Sequence, residues 1–282
     1  MNIKVPLSVP KKMQAIYRKN FKQATFNTGR LFLFAGDQKI EHLNDDFSSK
    51  FHNDDPEHLF KIAAQSPIGV FAAHLGLISR YGEKYKKIPY LVKLNGKSNL
   101  IKSQDPLSQA LWTVQDVCEF KKNSDLNILG IGYTIYLGSE YENIMLQEAA
   151  QAVNEAHKNG MIAVLWIYPR GKNVKNEKSI DILAGAAGLG LCLGADFVKL
   201  NYPFGALAKD AEKFKEVIMA AGNTGIICSG GAKLAQNEFL KRIKNQINIS
   251  GARGAAIGRN LHQNDLKTAI ALAKKIKALH LK

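Results

Sequence analysis

Cysteine is scarce in this 282-residue chain: Cys118, Cys192 and Cys228 are odd in number and far apart. That spacing supports neither a disulfide framework nor a cysteine-based zinc site, so all three read as small buried hydrophobes. Arginine is scarce too, with seven among 39 basic residues. The net charge of +15 is carried mostly by lysines spread along the chain, and no basic block is interleaved with aromatics, which argues against a nucleic-acid partner. Long apolar runs are missing: nothing approaches the ~20 residues of a membrane span. The opening stretch MNIKVPLSVPKKMQ also lacks the apolar region and cleavage site of a signal peptide, so a cytoplasmic protein with no membrane partner is expected. Histidine occurs without H-x-H or H-E-x-x-H spacing; His42, His52, His58 and His74 are scattered over loops and strand ends, and no metal or other cofactor is expected. No Pro/Gly/Ser-rich linker divides the chain, which implies one domain over 1–282.

What is present is an alternation. Short apolar, β-rich runs fall at 31–35, 68–73, 90–94, 128–136, 161–168, 196–200, 225–229 and 255–258. Between them lie segments with apolar residues at three- and four-residue intervals, notably 140–160, 179–194 and 264–280. Eight strand–helix units match the count of a (β/α)₈ TIM barrel, with about 30 residues preceding the first strand. A doubly wound open sheet would alternate in the same way. The missing G-x-G-x-x-G after the first strand weighs against it.

In either architecture the chemistry gathers at the carboxyl ends of the strands. The informative residues there are Asp37, Tyr168 and Arg170, Lys199, then Ser229-Gly230-Gly231 and Gly258-Arg259. Side chains two apart share a face of a strand, so Lys199 and Phe197 point one way while Val198 and Leu200 point the other. By the same rule Trp166 pairs with Tyr168, and Leu33 with Ala35 and Asp37. A lysine enclosed by apolar neighbours has its ammonium form disfavoured, and the free amine is a nucleophile toward carbonyls. The alternative is that Lys199 pairs with Asp37 or extends to solvent. Lys93, in YLVKLNG, is a second intrastrand lysine. It is open whether it is the nucleophile, a charge acting on Lys199, or an ion-pair partner.

The two glycine-containing strand ends give backbone N–H groups close access to an anion, and the Arg259 guanidinium matches phosphate oxygens. Their position after the seventh and eighth strands is where barrel enzymes commonly hold phosphate. A phosphorylated small molecule is therefore the expected ligand.

The segments AGDQKIEH, IGYTIYLGSEYE, LWIYPRG, GADFVKLNYP, ICSGGAK and AAIGRN together resemble the archaeal-type class I fructose-bisphosphate aldolases, sometimes called the DhnA-type or FbaB family, over about Leu31 to Asn260. The resemblance implies a TIM-barrel, homo-oligomeric lyase of glycolysis and gluconeogenesis that cleaves fructose 1,6-bisphosphate reversibly. It implies Lys199 as the Schiff-base residue, Tyr168 as the proton donor or acceptor, and Asp37 as an assisting carboxylate. Ser229, Gly230, Gly231, Gly258 and Arg259 would hold a substrate phosphate, with Gln38, Trp166 and Arg170 as further substrate contacts. Gln38 and Lys39 stand where the family commonly has His-Gly, and Lys39 would add a cation for a second phosphate. Related alternatives are a transaldolase- or thiolase-type transferase on another phosphorylated ketose, and a noncatalytic phosphosugar-binding protein.

Overall fold

The computed structural model describes residues 3–51 and 53–281, so His52 lies outside the described residues. Eight parallel strands close into a barrel in chain order. They are β1 (Leu31–Ala35), β2 (Val70–His74), β3 (Tyr90–Lys93), β4 (Ile128–Leu137), β5 (Ile162–Pro169), β6 (Phe197–Leu200), β7 (Gly225–Ser229) and β8 (Gly254–Ile257). Each strand coincides, to within two residues at either end, with an apolar run of the sequence. Helices α1 (Gln14–Ala24), α2 (Gln38–His42), α3 (Glu57–Gln65), α4 (Leu75–Tyr81), α5 (Val114–Ser124) and α6 (Glu142–Lys158) accompany the first half. The second half carries α7 (Ile180–Cys192), α8 (Ala208–Lys213), α9 (Lys215–Ala220), α10 (Gln236–Asn245), α11 (Arg259–His262) and α12 (Leu266–Leu281). None of the described helices is long and apolar enough to cross a membrane.

Strand parity separates two packed layers. The outward residues Phe32, Phe34, Phe71, Val92, Leu165, Val198, Leu200 and Ile226 join the helices in one cluster. The inward residues Leu33, Ala35, Val70, Leu91, Val164, Trp166, Phe197 and Ile227 form a second cluster inside the barrel. Burial on both faces explains why these strands read as continuous apolar runs. Between β3 and β4 the register shifts after Tyr90, so Leu91 faces Gly130 rather than Leu129. Leu129 and Gly132 consequently both turn inward, although they are three positions apart.

The N-terminal segment closes the barrel floor. Tyr17, Phe21 and Ala24 of α1 pack into the inner cluster with Ile3 and Val9. The Phe21 ring stacks on Phe197 with centres 5.5 Å apart, and Asn20 donates to the Gly160 carbonyl at 2.8 Å. The Tyr17 hydroxyl donates to Asp196, whose other carboxylate oxygen meets His157 Nε2 at 3.1 Å. Burial of the cysteines is only partly as expected: Cys228 is buried, Cys118 is half-buried, and Cys192 is exposed because it falls on the outer side of the last turn of α7.

Candidate active site

At the opposite end of the barrel one cavity is lined by every residue proposed above as a site residue: Asp37, Gln38, Trp166, Tyr168, Arg170, Lys199, Ser229, Gly230, Gly231, Gly258 and Arg259. Glu41, His42, Asn201, Ala35 and Ala256 complete its wall. Parity alone would have found Asn201, which continues the inward series Phe197–Lys199. Glu41 lies four residues after Asp37 and so shares its face of α2, a spacing present in the sequence.

Lys199 sits on the inner face of β6 and is buried, its Nζ 5.1 Å from the centre of the Trp166 ring. Burial pushes its pKa down; the carboxylates of Asp37 and Glu41 oppose the shift and Arg259 adds to it. No ion pair joins Lys199 to Asp37 among the described residues, so the pairing alternative is not realised. Asp37 Oδ1 is buried and has no hydrogen-bond partner. Such an atom costs free energy unless a ligand or water occupies it.

Tyr168, two residues beyond Trp166 on β5, has its pKa raised well above the ordinary phenol value by burial, and then by Glu41 and Asp37. It therefore carries its proton at neutral pH. Its ring stacks with Tyr136 at 6.5 Å between centres. Arg170 follows at the rim, with its guanidinium carbon 5.5 Å from the Tyr168 ring centre and its Nε 3.6 Å from Glu177.

The Trp166 indole extends from β5 across β4. A Cβ on Gly132 would stand 2.3 Å from Trp166 Cζ3, so only glycine leaves room for the ring there. Beyond it lies Lys93, which is fully shielded from solvent and is no part of the cavity wall.

On the β7–β8 side, the Ser229 hydroxyl donates to Asn201 Oδ1 at 2.9 Å. One expectation needs correcting here: the Gly230 N–H is not free for a ligand, since it donates to the Ala256 carbonyl at 2.8 Å as part of the β7–β8 pairing. The Gly230 carbonyl in turn accepts from Arg242, a buried residue of α10. The Gln38 amide lies close over Gly258: a Cβ there would stand 1.9 Å from Gln38 Oε1 and 3.1 Å from the Ala35 carbonyl oxygen, so a larger residue would displace the Gln38 side chain. Gln38 Oε1 accepts from His262 Nε2 at 3.3 Å, and His262 Nδ1 accepts from Asn53 Nδ2 at 2.8 Å. The ring is neutral, its pKa pushed down to about 3 mainly by burial. Arg259 Nε stands 3.8 Å from Asp46 Oδ2. Lys39 does not supply the second cation expected of it: its Nζ lies 4.8 Å over the Phe47 ring, away from the cavity. Among the described residues no group of three or more His, Cys, Asp or Glu side chains gathers as a metal site.

A closed eight-stranded barrel with a buried, unpaired lysine, a protonated tyrosine and an unpartnered carboxylate at its carboxyl-terminal mouth has the equipment of a barrel lyase working through an imine. The chain belongs to the DeoC/LacD aldolase family, whose model matches residues 31–264. It is 56% identical over 281 residues, 99% of this chain and 90% of the relative, to the fructose-bisphosphate aldolase/6-deoxy-5-ketofructose 1-phosphate synthase of Methanocaldococcus jannaschii. Among solved structures it is similar to the fructose-bisphosphate aldolase from Slackia heliotrinireducens, with a TM-score of 0.95 and 49% identity over 99% of this chain and 90% of that one. It is also similar to an archaeal fructose-1,6-bisphosphate aldolase whose catalytic lysine is covalently bound to the carbinolamine intermediate of its substrate, with a TM-score of 0.79 and 32% identity over 92% of this chain and 99% of that one.

Proposed function

We propose that the protein is a class I aldolase that reversibly cleaves fructose 1,6-bisphosphate into dihydroxyacetone phosphate and glyceraldehyde 3-phosphate, with Lys199 as the Schiff-base residue. The observation that carries the reading is the environment of Lys199: an amine enclosed by the barrel, with its ammonium form disfavoured, opening onto a cavity shared with Tyr168 and Asp37. Nζ attacks the C2 carbonyl, and loss of water leaves an iminium. Asp37, or a water it orients, accepts the C4 hydroxyl proton as the C3–C4 bond breaks and its electron pair moves into the iminium. Glyceraldehyde 3-phosphate leaves, Tyr168 protonates the enamine at C3, and hydrolysis of the renewed iminium frees dihydroxyacetone phosphate. The phenol is suited to this donation because it holds its proton at neutral pH. One phosphate lies against Arg259, Ser229 and Gly231, and the other reaches Arg170 at the rim.

A second reading draws support from the double name of the M. jannaschii relative. The same enamine can attack an acceptor aldehyde instead of taking a proton, which makes a transferase of the same site. Product analysis with and without an added aldehyde separates the two. We infer a cytoplasmic homo-oligomer; the exposed Leu191 and Met219 offer apolar area that contact between copies would cover, and sedimentation tests the subunit number.

Borohydride trapping in the presence of dihydroxyacetone phosphate, followed by peptide mapping, tests the central assignment. The adduct is expected on Lys199, and Lys199→Met should remove both adduct and cleavage while leaving a folded protein. An adduct retained in that variant would refute the assignment.

A further inference from the structure

A buried arginine holds the turn after β7 from behind. Arg242, on α10, has 9% of its surface exposed. Among the described residues its guanidinium bonds only to that turn, Nη2 donating to the Ser229 carbonyl at 3.3 Å and to the Gly230 carbonyl. Its Nε is buried without a partner. Burial pushes its pKa down, opposed by Cys228, Tyr202 and then Glu238, one turn earlier on α10, yet a guanidinium keeps its proton. No carboxylate forms an ion pair with it among the described residues. A buried charge without an opposite one is a costly arrangement unless something else supplies it.

The geometry of the turn shows where that charge is directed. The peptide units are trans, so each N–H points away from the carbonyl of its own unit. In the Ser229–Gly230 unit the carbonyl faces Arg242, and the N–H donates on the opposite side to the Ala256 carbonyl. In the Gly230–Gly231 unit the carbonyl faces Arg242 and, at 3.3 Å, Asn260 Nδ2, which turns the Gly231 N–H the other way. Among the described residues no backbone carbonyl accepts from that N–H. Gly231 lines the cavity and Arg242 does not. At Gly231 the backbone is left-handed, with φ 69°, and a Cβ there would stand 3.5 Å from Arg242 Nη2, so the guanidinium lies against the turn itself.

We propose that Arg242 is a positioning residue for the substrate phosphate: it fixes the Gly230–Gly231 peptide with its N–H toward the cavity and passes positive charge through that peptide to the bound anion. The proposal rests on placing a phosphate against Ser229, Gly231 and Arg259. A charged donor on a carbonyl polarises the peptide and strengthens the N–H on its far side. The phosphate in turn brings the opposite charge that no described residue pairs with Arg242. A hydrogen bond to a charged group that is turned aside weakens binding by about tenfold or more.

The test is borohydride trapping as a function of ligand concentration, with dihydroxyacetone phosphate and with dihydroxyacetone, in the wild type, Arg242→Met, Arg242→Lys and Arg259→Ala. In folded Arg242→Met the ratio of the two half-saturating concentrations should shift about tenfold against the phosphate ester. Arg242→Lys, which keeps a buried cation and a donor for the Gly230 carbonyl, should recover part of that discrimination. An arginine that merely anchors α10 would weaken both ligands by one factor. An unchanged ratio in Arg242→Met therefore overturns the proposal, and the phosphate site itself stands if Arg259→Ala still shifts the ratio. An unchanged ratio in both variants overturns the placement of the phosphate as well. Should Arg242→Met fail to fold, the Gly231 amide proton of the wild type decides: a downfield shift on titration with inorganic phosphate supports the proposal, and a resonance that does not move refutes it.

Discussion

Adding one methyl group at Gly132 should damage stability and catalysis together. The new Cβ would stand 2.3 Å from Trp166 Cζ3, 2.6 Å from its Cη2 and 2.9 Å from Leu91 Cδ2. Carbon atoms pack at about 3.5 to 4.0 Å, so the indole has to withdraw by about 1 Å or more inside a closed barrel. Overpacking of this kind costs about 1–3 kcal/mol. For a domain of this size that corresponds to a fall in Tm of about 2–12 °C. The same movement displaces the ring that lines the cavity beside Lys199, and a loss of about 1.4 kcal/mol in the transition state lowers kcat/KM tenfold. Differential scanning calorimetry and steady-state cleavage of fructose 1,6-bisphosphate measure the two effects. Gly185→Ala is the control, because a Cβ there meets nothing within 4 Å on α7; it should gain about 0.5–1 kcal/mol from helix propensity. Trp166→Phe, by shortening the ring, should relieve part of the stability loss in the Gly132→Ala background, with a coupling of about 0.5–3 kcal/mol. A Gly132→Ala enzyme with wild-type Tm and kcat/KM, or strictly additive stability changes in the double variant, would refute the reasoning.

Arg259→Ala should weaken phosphorylated ligands by about ten- to a hundredfold, since a charge-assisted hydrogen bond contributes about 1.5–3 kcal/mol, while unphosphorylated analogues change little; equal losses for fructose and its bisphosphate would point instead to a role in holding Asp46. Stability should fall steeply in mild acid. His74, His262 and His280 are held neutral by burial with pKa values near 4, 3 and 4, below the ~6.5 of the unfolded chain, so the stability present above pH 6.5 is lost as pH falls toward 4. Three extra protons bound on unfolding give a slope of up to about 4 kcal/mol per pH unit, readable as a falling urea midpoint; a midpoint equal at pH 7.5 and 5 would contradict it. Cleavage should survive exhaustive treatment with EDTA, and recovery of a lost activity by added Zn²⁺ would place the chemistry on a metal rather than on Lys199.

The barrel was legible because parallel strands covered on both faces must be apolar on both, which leaves eight separated runs in the sequence. The inward series at β5 and β6 followed from the two-residue period, and it carried Trp166, Tyr168 and Lys199 into one cavity. At β4 the same rule fails: the shift beside Leu91 admits an extra residue, and nothing in ILGIGYTIY marks where the alternation changes phase. The role of the Ser229-Gly230-Gly231 turn was legible only as composition, because whether an amide is free depends on its partner strand, and the Gly230 N–H is taken by β8. Lys39 illustrates another limit. Its direction is set by Phe47, eight residues on, through a turn whose course the local pattern does not specify. The place of Lys93 was also hidden, for its Nζ donates to Asn95, whose side chain joins β3 to β4 and to the segment carrying Ser108.

The sealed barrel floor has a consequence for how the protein is made. Tyr17 bonds to Asp196, 179 residues further along the chain, and Phe21 stacks on Phe197. At about 5–20 residues per second, roughly 10 to 40 seconds separate synthesis of α1 from synthesis of the residues that cover it. During that interval the first helix has no floor to close, and its aromatic face is open to other surfaces, including the same helix on a neighbouring nascent chain. A segment made well before its partners is therefore among the last to find its place. Removing it would leave the inner layer around Phe197, two residues from Lys199, open to water from below.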